Sequence, residues 1–258
     1  MEIAVTPADM AGPARGRWPF LETLGWAVLI VIVSTLIQGV MFGAVAAVDL
    51  HSQNLLTHVS PQYLVQAMMS EAGRGDVVFT TIIVSNLISV AAILLIVLIK
   101  GHALKDYLAV HAVRAGTLLT WMLILAGFVI LTEGAAAFFK IDFGGDSMAK
   151  LYKATDSIWL FWAAAVLAAP VFEEVMFRGF LFRGFQASFL GTGGTIVLTA
   201  LLWAAMHLQY NLYGMGFIAA TGILFGIARA RTGSLIVPMA LHAALNFSDL
   251  LLFAMGGT

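Results

Sequence analysis

Cysteine is missing from all 258 residues, which rules out disulfides, thiolate metal ligands and a cysteine nucleophile. Charge is scarce too. Only 10% of the residues are Asp, Glu, Lys or Arg, against about a quarter in soluble domains. The net charge of −1 gives no reason to expect nucleic acid or an acidic polymer as a partner. Internal repeats, low-complexity tracts and long dividing linkers are also wanting. What remains is apolar: 61% of residues are hydrophobic and the mean hydropathy is +0.96. That balance belongs to a polytopic membrane protein.

A helix crosses the hydrocarbon with about 20 mostly apolar residues. On that criterion seven spans are expected, at roughly 23–48, 77–99, 117–139, 158–182, 193–209, 214–230 and 234–255. The fold class is therefore all-α, a transmembrane helical bundle with a polar site among its last four spans. Three regions follow: an N-terminal cytoplasmic segment (1–20), the first transmembrane helices with their loops (21–157), and a helical core (158–258). The first apolar run is longer than the h-region of a signal peptide, so we read it as a span although Ala44-Val45-Ala46 resembles a cleavage site. The polar segment 49–76 contains Pro61–Met69, either a short interfacial helix or a plain loop. Arg15, Arg17, Lys100, Lys105, Arg114, Arg178, Arg183, Arg229 and Arg231 fall on one side, and Arg74, Lys140, Lys150 and Lys153 on the other. The richer side is expected in the cytoplasm, together with the N-terminus.

Against this background the ionisable residues of the last spans stand out. An ionised side chain near the bilayer centre costs roughly 2.5–3.5 kcal/mol on insertion scales, so such residues usually mark a site. Glu174 and Arg178 are four apart with the acid first, the favourable order for a helical ion pair. Glu173 is turned about 100° away from Glu174 and is free to face something else. Pro170 just upstream removes a backbone N–H and can kink or widen the helix. If the hairpin of the fourth and fifth spans turns near residue 190, Glu173 and His207 lie at equal depth. His242 and Asn246 share a face of the last span. Gln38, Asn86, Glu133 and Asp249 are also polar residues in spans, and the sequence assigns them no role.

Glu173-Glu174-x-x-x-Arg178, Trp203-x-x-x-His207 and His242-x-x-x-Asn246 resemble the ordered motifs of the type II CAAX prenyl protease and bacteriocin-processing (CPBP, or ABI) family. The resemblance covers about residues 158–248. One departure is Trp203, where the family usually has Phe. The resemblance implies a helical intramembrane endopeptidase in which Glu173 and His207 activate water. His242 and Asn246 would stabilise the oxyanion, and Glu174 and Arg178 would support the first motif.

Two cofactor readings stay open, none or zinc. Glu173, His207 and His242 could hold zinc with an open water position, although the His-Glu-x-x-His pair is lacking. Either way water must enter, so a polar cavity is expected between the last four spans, opening toward the cytoplasm. The expected partners are a peptide or membrane-protein substrate and the lipid bilayer, with no nucleic acid. The Ala- and Gly-rich chain without organelle signals leans toward a bacterial inner membrane. Two other readings use the same residues: a proton-coupled carrier, and a family member that acts as a scaffold or immunity protein without cleaving.

Overall fold

Apolar stretches of 20 residues or more, with backbone N–H and C=O groups that lipid cannot satisfy, have to close their hydrogen bonds internally as helices. A computed structural model describes residues 20–53, 55, 60–144 and 146–255, with backbone alone at 146–149 and 253. It bears out the helical membrane bundle. Among the described residues, five helices are long and apolar enough to cross a membrane: α1 (Phe20–Ser52), α3 (Gly75–Ile99), α5 (Ala115–Phe139), α7 (Ile158–Gln186) and α9 (Leu212–Thr232). Two shorter apolar helices, α8 (Gly191–Ala205) and α10 (Ile236–Ala254), complete the seven expected segments. The polar connections hold three further short helices, α2 (Pro61–Glu71), α4 (Leu104–Tyr107) and α6 (Asp146–Lys153). Residues 61–69 are thus helical, started by Pro61 and capped by the Ser60 hydroxyl, which accepts from Tyr63 N–H at 3.3 Å. Arg15, Arg17 and the rest of residues 1–19 lie outside the described residues.

The outer surface carries Val40, Leu119, Leu131, Phe138 and Trp159, each more than half exposed. In water such a surface would aggregate; here it meets acyl chains. Inside, close packing and polar contacts hold the helices together, because lipid removes the hydrophobic drive between them. Gln38 of α1 donates to the Ser85 hydroxyl of α3 at 3.1 Å, and Glu22 at the start of α1 pairs with Lys100 beyond the end of α3. Gly184 of α7 lies so close to Thr23 of α1 that a Cβ would collide with it.

Glycine has the same use between α8 and α9. A Cβ on Gly222 would stand 2.9 Å from the Ala200 Cβ and 3.1 Å from both the Ala200 Cα and the Trp203 ring. Gly222→Ala is therefore expected to force the two helices apart and lower stability by about 1–3 kcal/mol. Thermal unfolding in detergent measures it, and an unchanged midpoint would contradict the packing argument.

Helix α7 is one continuous rod with two π-helical stretches, Ala163–Ala168 and Val175–Leu181, on either side of the two glutamates. In the first, the Ala169 N–H bonds Ala164 O, five residues back. The next bond in that series would come from residue 170 to Ala165 O, and Pro170 has no N–H to give. The Asn246 side chain supplies it instead, its Nδ2 donating to Ala165 O at 2.8 Å. The expected disturbance at Pro170 is thus a widened turn, and α10 is pinned to it.

Helix α8 departs from expectation. The predicted span ran to residue 209, whereas the helix stops at Ala205. Its 15 residues reach only about 22 Å, short of the roughly 30 Å hydrocarbon. Residues 206–211 are therefore irregular backbone within the bundle, tolerated only where protein or a cavity surrounds it. Local bonds satisfy it: His207 N–H to Ala204 O at 2.9 Å, Tyr210 N–H to His207 O at 3.1 Å, and the Asn211 side chain capping α9. The α5–α6 connection crosses this turn, joined through a bridge between Gly144 and Tyr210 and by Asn211 Nδ2 to Asp142 O at 2.8 Å.

Candidate active site

At the middle of α7, Glu174 and Arg178 have no exposed side-chain surface. Arg178 Nη1 donates to Glu174 Oε1 at 2.8 Å, as the four-residue spacing predicts, and Nη2 donates to Gly222 O on α9 at 3.1 Å. The guanidinium also lies over the Trp203 ring, 4.6 Å from its centroid. His242 of α10 places Nδ1 3.0 Å from the same Glu174 oxygen. Arg178 already donates to that oxygen, so His242 Nδ1 carries the proton. Its Nε2 is left facing Glu173, 3.9 Å from Oε2. The ion pair thus aims His242 as well as stabilising the first motif.

Glu173 points the other way, with 17% of its side chain exposed. Its Oε2 accepts from the Trp203 indole N–H at 2.5 Å. The Trp203 carbonyl is 2.8 Å from His207 Nδ1. A carbonyl only accepts, so Nδ1 is the protonated nitrogen and Nε2 of the neutral ring presents a lone pair. Trp203 thus touches four members of the group: Glu173 by its N–H, His207 by its carbonyl, and Arg178 and both imidazoles by its ring. The Phe usual in the family could not bond Glu173. A buried indole N–H needs a partner, and that was the signal available in the sequence.

The depth argument needs correction. The hairpin turns through residues 187–190, slightly before the expected point, and the π turns of α7 place more residues per unit length than α8 does. Glu173 therefore meets Trp203, and His207 lies one turn farther along, beyond the helix end.

Glu173, His207, His242 and Asn246 all border one cavity of about 620 Å³, while Glu174 and Arg178 lie behind its wall. The cavity is not confined to the last four spans. Gln38 of α1, Asn86 of α3 and Glu133 of α5 border it too, as does Asp249 of α10. Its lining includes Phe143 after α5, Tyr210 in the turn after α8 and Leu250 near the end of α10. That end of the bundle is opposite the start of α1, so the cavity runs away from the face that the charge count places in the cytoplasm. Arg178 and Arg229, both included in that count, are buried in the bundle and say nothing about its loops.

Among the described residues, no three His, Asp or Glu side chains are grouped as a metal site. Glu173, His207 and His242 share the cavity wall without converging on one point, so the zinc set does not fit as arranged.

Comparison with known proteins finds a match over the part of the chain that carries these residues. Residues 155–248 match the family described as Type II CAAX prenyl endopeptidase Rce1-like. An Escherichia coli protein described only as an uncharacterized 24.3 kDa protein is 32% identical over 99 residues, covering 37% of this chain and 46% of that protein. The matched part thus spans about half the length of that curated relative. No solved structure matches. With five long apolar helices and this match, the chain is an integral membrane protein whose residues 155–248 are similar to the Rce1-like type II CAAX prenyl endopeptidase family.

Proposed function

We propose that this protein is an intramembrane endopeptidase that hydrolyses a peptide bond of a peptide or membrane-associated protein. The reading is carried by one observation: Glu173, His207, His242 and Asn246, from two helices and a turn, border a single cavity. Water in the cavity gives a proton to the Glu173 carboxylate or to His207 Nε2, and the hydroxide attacks the scissile carbonyl. The carbonyl oxygen becomes an oxyanion. Asn246 keeps one amide hydrogen beyond its bond to Ala165 O, and His242 Nε2 donates when the ring is an imidazolium. Donors so placed are worth about 2.7–4 kcal/mol. The proton taken from water then passes to the leaving nitrogen, and the C–N bond breaks. No step is routed through a metal.

A bacterial inner membrane and a cytoplasmic N-terminus complete the proposal. The test is cleavage of a peptide library by the purified full-length protein in lipid nanodiscs, before and after dialysis against a chelator. Cleavage is expected in both cases. Loss of activity in chelator, restored by zinc, would overturn the water-only mechanism. Absence of any hydrolysis, with ion flux across vesicles instead, would favour a carrier.

A further inference from the structure

Two carboxylates of the cavity have nothing to pair with. Glu133 and Asp249 border it and lie within electrostatic reach of each other. Neither has a hydrogen bond or an ion pair among the described residues, and no Lys or Arg borders the cavity. Both are exposed residues close to the ends of α5 and α10, where a carboxylate is met by water or by a cation. A second kind of group points the same way. Asn86 is 7% exposed and borders the same cavity with no hydrogen-bond partner among the described residues. The Thr221 hydroxyl, also on the cavity wall, is buried and unpartnered. Neutral donors and acceptors left free in a cavity suit the N–H and C=O groups of an incoming backbone.

We infer that this outer part of the cavity is a substrate subsite for an extended peptide segment bearing a basic side chain. The cationic group sits between Glu133 and Asp249, and the backbone meets Asn86 and Thr221. Asp249 follows His242 by seven residues, about 10 Å along α10. An extended chain covers about 3.3–3.6 Å per residue, so the basic residue falls about three positions from the scissile bond. The inference rests on the peptidase reading for its scissile bond, and it extends substrate selection to α3 and α5, outside the matched residues 155–248.

The test uses full-length Glu173→Ala protein in nanodiscs and short fluorescent peptides that differ only by Lys, Gln or Glu at one position, scanned along the peptide. Anisotropy is expected to show the Lys peptide binding about tenfold tighter than the Glu peptide at positions near three residues from one site. Adding Glu133→Lys and Asp249→Lys is expected to invert that order. The milder Glu133→Gln and Asp249→Asn pair, which keeps side-chain volume, is expected to bring the ratio near one. Equal affinities for all three peptides, no binding of any, or a preference that survives charge reversal would overturn the subsite. Cleavage by the wild-type protein is read separately. Intact charge preference without cleavage sinks the peptidase reading alone, and cleavage without preference sinks the subsite alone.

Discussion

Glu173→Gln is expected to lower the rate of peptide cleavage at least a hundredfold, with the fold intact. Gln keeps the volume of Glu and an oxygen to accept the Trp203 indole N–H, so the contact seen at Glu173 Oε2 survives. What is lost is the group that, in the proposed mechanism, takes a proton from water and returns it. General acid–base catalysis by one positioned side chain contributes about 10²–10⁴-fold. The neighbouring carboxylate cannot substitute. Glu174 is fully buried, tied to Arg178 and His242, and does not border the cavity. His207→Ala is expected to fall in the same range. The double variant should be little worse than either single one, because the two residues handle one proton. Single-turnover cleavage in nanodiscs, with a thermal melt of each variant, measures this. A Glu173→Gln protein keeping more than about a tenth of the wild-type rate would sink the assignment.

Arg178→Ala acts on stability instead, with an expected loss of about 3–5 kcal/mol. Arg178 has no exposed side-chain surface and, among the described residues, shares Glu174 with His242 alone. Removing it strands a carboxylate in the core, empties the space over Trp203 and leaves Gly222 O without its donor. Lysine is not an adequate substitute: a single ammonium cannot reach Glu174 and Gly222 in a planar fork or stack on the indole. Replacing both partners, as Glu174→Gln with Arg178→Met, should lose less than the sum of the single changes, since no buried charge remains. Thermal unfolding in detergent gives the comparison. A single Arg178→Ala variant that melts like wild type would mean the ion pair contributes nothing, and that His242 is aimed by something else.

Much of the bundle was legible because hydropathy averages over about 20 residues, and seven such stretches survive as helices. The Glu174–Arg178 bond was legible because spacing on one helix fixes geometry. Between helices that logic weakens. The end of α8 was missed because Leu208 and the preceding Ala and Met residues keep the average apolar past Ala205. The roles of Gln38, Asn86 and Glu133 in the cavity wall were missed for a different reason. An almost uniformly apolar helix has no polar stripe to reveal which face turns inward, so a lone polar residue looks equally at home against lipid or cavity. Asp249 was given no role, and it borders the cavity. Trp203 was read as a conservative departure, and it is the residue through which Glu173, His207 and Arg178 meet.

The bond from Asn246 to Ala165 O has an evolutionary corollary. An imino acid in α7 and a carboxamide in α10, 76 positions later, complete a single backbone hydrogen bond. For this bond each depends on the other: an ordinary amide at position 170 would fill the acceptor itself and release Asn246 from that duty. Lineages that drift at one of the two sites should therefore drift at both, or keep the carboxamide solely for what it offers an incoming substrate.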